Sequence, residues 1–581
     1  MAITKTIQQE IDSYLNDSVQ ISEGYQFSAY KLIKRIVLYQ NNIYPTGKID
    51  SQGKYKYFFD IISPRIDSEV KNIDFDTKDI SFYSDSTEDS RPIFISNLML
   101  QDWLKENNQS IKLNNAIEQS SGWGNIVWKK IKGGYEMADL KNYYVINQTA
   151  ETLEDSPVIE RHILTQSDLR AKKDIWKNVD DVIKNCGSKN ISVVKDGISK
   201  EQSVKYYEVY ERNGEISEKE LKEAQDKEGG SEDKYVLAKI IVAGLSGSDK
   251  EGSVLFAEEI SEMPYKEYHR GRYNGRWWRA GLYETLFDIQ TRANEIGNQI
   301  ARGLEWSAKT VFRSSDKLIA QNIMTDMNNG DIIKSIDLQQ VSTRMEGFDQ
   351  LIADWNRLME MADKLCNSYE VVTGESLPAG TPFRLGAMMN QNANKLFDFI
   401  REKLSIAIRS IYEDWVLPDI MRDLKKKNII RITGSSEIIQ TYNQMLVDGW
   451  YLKNLIYLPP HTPEDALMIK AQKLQELQGR KDQFLKIEKN FWDEFKPRIK
   501  VVISGENVNM LAELETLSTF IALEQDPVRR SALIELAMSK KNIDIKGLPK
   551  SPPMPIQQPQ QKQAEPKSSL GQAETAAQLT K

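Results

Sequence analysis

Two stretches of this chain repeat apolar residues at alternating steps of four and three, and that spacing restricts the fold more than any other feature. In "LYETLFDIQTRANEIGNQIARGLEWS" the rhythm runs through Leu282, Leu286, Ile289, Ala293, Ile296 and Ile300. In "FDQLIADWNRLMEMADKLCNSYEVV" it runs through Phe348, Ile352, Trp355, Met359, Ala362, Cys366 and Tyr369. Such a stripe stays on one side of an α-helix that packs along its length against a neighbour at a shallow angle. Each segment therefore reads as one long helix, on the order of 35 to 40 Å at about 1.5 Å per residue. Leu286, Ile289, Ile296, Ile352, Trp355 and Met359 are the expected seam. About forty residues separate the two helices, with a turn-like Asn328-Asn329-Gly330 and short β-rich runs. A helical bundle would also use such seams, but it gives no reason for an insert of that size at the hairpin tip.

After the second helix, "TGESLPAGTPFRLGAMMNQNANK" brings Gly374, Pro378, Gly380, Pro382 and Gly386, then a run of amides. It reads as a loop. A third helix is expected from about Ala387 to Trp415, with Leu396, Ile400, Leu404, Ala407 and Ile411 on one face and Pro418 kinking or ending it. The first half of the chain is mixed. It has a helical opening, an extended "DISFYS", a helical "ISNLMLQDWLKENN" and a hairpin pattern around Gly133-Gly134. Two strands, "SVKYYEVYERNGEI" and "KYVLAKIIVAGL", flank a charged loop from Ser217 to Asp233. Past Pro418, the strands "IIRITG" and "RIKVVISG" flank a helical "TPEDALMIKAQKLQELQGRKDQFLKIEKNFW" that Thr462 and Pro463 would open. A helical pair follows, "NVNMLAELETLSTFIAL" and "DPVRRSALIELAMSKK". From Leu548 onward the Pro/Gln-rich chain has too few large apolar residues to bury, so a disordered tail is expected. The fold class is α+β, mainly helical.

Composition removes several functional classes. At 581 residues the chain is long enough for several structural units. A net charge of -7 leaves no global basic footprint of the kind nucleic-acid readers carry. Cys186 and Cys366 are the two cysteines, so neither a disulfide framework nor a cysteine zinc site is expected, and synthesis in a reducing compartment fits. "MAITKTIQQEIDSYLND" has no apolar signal core, and no run approaches the ~18 apolar residues of a membrane span, so neither signal-peptide export nor a membrane contact is expected. The chain lacks GxxxxGK[ST] and HExxH, its three histidines (His162, His269 and His461) are isolated, and no carboxylate cluster stands out for a two-metal site. "GLSGSDKEG" around Gly247 misses P-loop spacing and reads as a surface turn. No catalytic residue, metal or cofactor is expected. His269, Arg270, Arg272, Arg276 and Arg279, interleaved with Tyr268, Tyr273, Trp277 and Trp278, have two readings. They form either a nucleic-acid patch or a loop whose aromatics anchor the first long helix while its arginines pair with acids of a neighbouring subunit.

In this order the parts resemble a tailed-phage portal protein, the ring at the capsid vertex through which the genome is packaged and ejected. The resemblance runs from about Tyr25 to Pro555, through architecture and scattered local patterns. "YHRGRYNGRWWRAGLYETLFDIQTRAN" is similar to that family's lead-in and first stem helix, and "NNGDIIKS" to part of its clip. "NSYEVVTGESLPAGTPFRLGAMMNQNANKLFDFIREKL" resembles the end of the second stem helix, the tunnel loop and the long wing helix. "GWGNIVWKKIKGGYEMADLKNYYVINQTAETLEDSPVIERHILT" is similar to the wing. The resemblance implies a wing over 1–265, lead-in and first stem helix over 266–307, a clip over 308–347 and a second stem helix over 348–373. A tunnel loop follows over 374–392, then the long wing helix and the rest of the wing over 393–505, crown helices over 506–547 and the tail over 548–581.

It further implies a homo-oligomeric DNA conduit, expected as a dodecamer in the virion and made in the host cytoplasm, with no enzymatic activity of its own. The tunnel loop would face non-specifically sliding double-stranded DNA through Ser376, Thr381, Arg384, Asn390, Gln391 and Asn392, whose mostly neutral hydrogen bonding avoids a phosphate brake. Asp326, Asn328, Asn329 and Asp331 would dock terminase and later the head-tail adaptor, and the wing would meet the major capsid or scaffolding protein. Acids exceed bases on both stem helices: Glu284, Asp288, Glu295 and Glu305 against Arg292 and Arg302, then Asp349, Asp354, Glu360, Asp363 and Glu370 against Arg357 and Lys364. Repeated around a ring, they would repel the duplex. The alternative is another virion structural or scaffolding protein built on a helical hairpin.

Overall fold

The computed structural model describes residues 2–50, 53–73, 77, 80–84, 90–185, 189–191, 204–245, 252–308, 311–313, 339–341, 347–366, 383–426, 429–432, 436–455, 463–477, 483–486, 492, 495, 497–501 and 520–521. By contacts the chain divides into 1–506 and 507–581. In the second unit only Phe520 and Ile521 are described, both helical and both in the first member of the expected helical pair; the rest of the pair and the tail lie outside the described residues. The first unit is mixed α+β and mainly helical.

Its first core forms around an antiparallel sheet in the order β11-β10-β9-β7-β6, made of β6 (Tyr143–Val145), β7 (Val158–Thr165), β9 (Val204–Ser217), β10 (Tyr235–Ala243) and β11 (Ser253–Glu259), with β8 (Lys189–Ile191) beside β9. Between β9 and β10 the charged segment is not wholly a loop. It holds α8 (Glu218–Ala224), because the Ser217 hydroxyl accepts the Glu220 N–H and so caps a helix start. The expected hairpin is β4 (Asn125–Ile131) and β5 (Gly134–Met137), turned at Gly133 with φ +87°. On its other side β4 pairs with β12 (Tyr265–His269), from Tyr265 opposite Lys129 to His269 opposite Asn125.

Two helices, α1 (Ala2–Asn16) and α2 (Ala29–Gln40), then bury Ile7, Tyr14, Ile33 and Ile36 together with Trp277, Trp278 and the start of α9 (Leu282–Ser307). Short helices α6 (Gln166–Ala171) and α7 (Val179–Asn185) place Leu169, Val179 and Val182 in a separate cluster with Val209, Ile241 and Leu255 of the sheet.

The second core gathers α3 (Ser63–Ile73), α4 (Ser90–Glu106), α5 (Gln109–Trp123), α11 (Phe383–Ile411) and α12 (Leu417–Lys426) around a ribbon of β3 (Ile80–Tyr83) and β17 (Arg498–Val501). Phe397, Ile400, Leu404, Ile408 and Ile411 form the buried stripe of α11, with Leu396 and Ala407 at its margin. Pro418 does not end this helix. It has no N–H to give the carbonyl four residues back, and the chain passes through a π turn at Tyr412–Val416 before α12 continues. Tyr412, Trp415 and Val416 are buried at that bend.

Elsewhere, β15 (Ile429–Ile432) pairs with β16 (Gln483–Lys486), inside the segment expected to be helical. Among its described residues that segment is helical over α14 (Pro463–Leu477), and "RIKV" pairs with β3. Helix α13 (Ser436–Asn454) has no counterpart among the expected elements. Where α5 ends and the chain approaches α9, two backbones cross. Gly124 has φ +81° and a Cβ there would sit 2.5 Å from the Arg279 carbonyl oxygen, while a Cβ on Gly281 would strike the backbone of Gly122 and Gly124.

Candidate functional site

The long helix α9 packs against α10 (Phe348–Cys366). Of the expected seam, Leu286, Ile289 and Ile296 are buried, and Trp355 and Met359 pack partly buried against the same core. Ile352 departs from it: it is 40 % exposed. A third element enters the seam. The extended segment 57–61 lies along α9, and its Phe59 ring meets Trp355 edge-on at 5.3 Å. Gly297 of α9 gives that ring its space, since a Cβ there would strike Phe59. Cys366 is a buried seam residue as expected, and burial pushes its thiol up to about 12, far from a reactive thiolate.

Three amides bind this segment to the helix. Gln290, Asn294 and Asn298 accept the backbone N–H groups of Ile61 at 3.0 Å, Phe59 at 2.8 Å and Tyr57 at 2.8 Å. Gln290 also donates to the Phe59 carbonyl, and Asn298 to the Tyr57 carbonyl at 2.9 Å. The two repeats match: four helical residues rise about 6 Å, and two extended residues span about 6.6 Å. The backbone of this segment is thus hydrogen-bonded by side chains rather than by a neighbouring strand.

At the far end of α9 the insert leaves as β13 (Val311–Arg313) and returns as β14 (Gln339–Val341), antiparallel, with Val311 opposite Val341. Asp326, Asn328, Asn329 and Asp331 lie outside the described residues, as do Ser376 and Thr381. Arg384, Asn390, Gln391 and Asn392 fall in α11, which starts at Phe383, earlier than expected and directly after Pro382 in sequence, a residue favoured at helix starts. Residues 383–392 are therefore helix rather than loop.

The acids of the two helices mostly have partners in their own chain. Glu284 pairs with Arg276 at 2.7 Å, Asp363 with Arg65 at 2.7 Å, Glu295 with Arg292 at 3.2 Å, Asp354 with Arg292 at 3.5 Å and Glu305 with Lys54. Exposed Asp288 is 3.6 Å from Arg35, and Glu360 is 3.8 Å from Lys364. Among the described residues, Asp349 has no such partner. The lead-in to α9 is likewise packed against its own chain, although Trp278 Nε1, Arg276 Nη1 and Arg279 Nε are buried without a hydrogen-bond partner among the described residues. Trp277 and Trp278 are fully buried, Arg270 grips buried Glu69 with two bonds of 2.6 Å, and Arg279 donates to the Glu151 carbonyl at 3.1 Å. Burial opposes the Arg270 charge, but the Glu69 carboxylate outweighs it and raises the pKa. Of the four arginines expected to reach a neighbouring subunit or a nucleic acid, Arg270, Arg276 and Arg279 bond within the chain, and Arg272 is exposed beside Tyr273.

One charged cluster was not foreseen. Glu160 of β7 stands opposite Glu211 of β9, a pairing that repels unless a cation intervenes. Lys129 supplies it, 2.6 Å from Glu160 and 2.8 Å from Glu211, with Lys239 2.9 Å from Glu211 and His162 3.3 Å away. Burial would raise the Glu211 pKa, but the hydrogen bond from His162 and the charges of Lys129 and Lys239 hold it well below the ordinary carboxylate range. Glu160, His162 and Glu211 are close enough to ligate a metal ion, but the Lys129 ammonium already bridges both carboxylates. The cluster is a structural ion network. Apart from the neighbours Glu160 and His162, its members come from separate strands far apart in sequence, so no local motif shows it.

No protein-family model matches the chain, and no curated protein matches it.

Proposed function

We propose that the chain is a portal-type subunit, forming a ring-shaped DNA channel at a capsid vertex through which a viral genome is packaged and ejected. The observation that carries this reading is the hairpin of two long packed helices whose insert leaves and returns as a paired β ribbon, on an α+β body and followed by a third long helix with a π turn ahead of Pro418. In this reading the hairpin is the stem, the insert is the clip that receives a terminase ATPase and later the head-tail adaptor, and the sheet-bearing body is the wing facing the capsid or scaffolding protein. The protein performs no chemistry. Rigidity suits such a conduit, and the amide-bound strand in the stem seam supplies it without needing a partner sheet. Gold-labelled antibody against the protein, applied to partly opened particles, is expected to mark a single vertex. Label spread over the whole shell or along the tail would contradict the assignment.

A further inference from the structure

A groove of about 720 Å³ lies between α2, the segment 44–58 and α9. Five cations line it, Lys31, Lys34, Arg35, Lys56 and Arg302, against the single carboxylate of Glu295. Two of the five are engaged by acids: Arg302 bonds Asp50, and Arg35 lies 3.6 Å from Asp288. The other three have no carboxylate partner among the described residues. Lys56 donates to the Thr46 hydroxyl at 2.9 Å, Lys34 stands 4.2 Å from the centre of the Tyr30 ring, and Lys31 is exposed.

Leu38, Tyr39, Tyr44 and Phe58 make the groove's apolar side. The aromatic cluster is fixed, with Phe58 edge-on to Tyr39 at 5.9 Å and to Tyr44 at 5.4 Å. A concavity of this volume, with apolar walls and a few convergent charges, has the proportions of a small-molecule site. Cations of one sign around a low-dielectric wall concentrate anions. A bare anion would leave the aromatic wall uncovered, and a neutral apolar ligand would make no use of the lysines. The occupant that uses both is an aromatic group carrying several negative charges.

We propose that this groove binds an aromatic polyanion of nucleotide size, with its phosphates at Lys31, Lys34 and Lys56 and its ring against Leu38, Tyr39 and Phe58. The site is independent of the ring reading. Calorimetric titration of the full-length protein with ATP, inorganic triphosphate and adenosine tests it. ATP is expected to bind, triphosphate about tenfold more weakly and adenosine not measurably, with ATP affinity falling as salt rises. The double variant Lys31→Glu, Lys34→Glu changes two exposed side chains, so it should keep the native circular dichroism and melting temperature while losing ATP binding. The proposal is overturned if the native protein does not bind ATP, if the double variant binds it unchanged, or if triphosphate binds as well as ATP. A short DNA duplex that binds through the same lysines when ATP does not would also overturn it.

Discussion

Lys129 shows how one residue sets the sign of a pH response. Glu211 has a depressed pKa in the fold, so its stabilising contribution is complete above its unfolded value and is lost as pH falls through the folded one. Burial disfavours the Lys129 charge, but Glu211 and Glu160 outweigh burial and raise its pKa, so its contribution is complete below its unfolded value and fades as pH rises through the folded one. Lys129→Met leaves the two facing carboxylates without their bridge and is expected to cost about 3–5 kcal/mol near neutral pH. Its stability should then improve as pH is lowered toward the carboxylate range, opposite to the native trend, because protonating one acid removes the repulsion. Urea unfolding across that range measures both; a small cost with the native pH slope would show the lysine to be dispensable.

A second residue-scale test addresses the amide ladder. Asn294→Ala strips the acceptor from the Phe59 N–H, at an expected cost of about 1–3 kcal/mol in urea unfolding. Loss of less than that would mean water serves the strand equally well. The four-residue spacing of Gln290, Asn294 and Asn298 stands in the sequence, but the strand they hold lies more than two hundred positions earlier, and no local pattern names it.

Among elements, legibility followed periodicity. The helices α9 and α10 were readable because a stripe near 3.5 residues per turn fits a packed helix and little else, and the Gly133-Gly134 hairpin because its turn chemistry is local. Helix α5 was not readable, since it buries Ala116, Ser120, Ser121 and Gly122, small or polar residues that leave little hydrophobic rhythm. The helix α11 starts at Phe383, ahead of the expected start at about Ala387 and inside the tunnel loop expected over 374–392, because Gly386 is a weak local sign against helix that the following Ala387, Met388 and Met389 outweigh. The strand β16 inside a charged, helix-favouring segment is a case of distant pairing overriding local preference. Ile352 fits the seam spacing yet is exposed, because spacing alone does not show which positions of a stripe meet a neighbour. The seam itself is tested by Ile289→Asp, which buries a carboxylate among Leu286, Ala293 and Trp355 and should cost several kcal/mol. Its melting temperature should fall well below that of the exposed-site control Ile352→Asp; equal effects would mean that Ile289 is not in the core.

At the scale of the whole molecule, the charge expected on a ring's inner wall is partly settled within each chain. The acids of α9 and α10 meet Arg35, Lys54, Arg65, Arg276, Arg292 and Lys364, so a ring built from these helices would present a weaker negative wall than residue counts imply. None of the docking or channel surfaces was legible beyond resemblance, because a surface that meets a partner only after assembly leaves no periodicity in one chain. Replacing residues 326–331 with a Gly/Ser linker is expected to leave assembly intact and abolish capture of terminase or adaptor. Retained capture of both would move the docking surface elsewhere.

A conduit role depends on self-assembly into a ring. Electron microscopy of the purified, native chain over a range of concentrations measures that directly. A portal-type subunit should give end-on class averages with rotational symmetry and an open centre, and side views with a narrower stem below a wider body. A population that stays monomeric at every concentration, or that forms open filaments or closed globules without a central hole, would contradict the assignment.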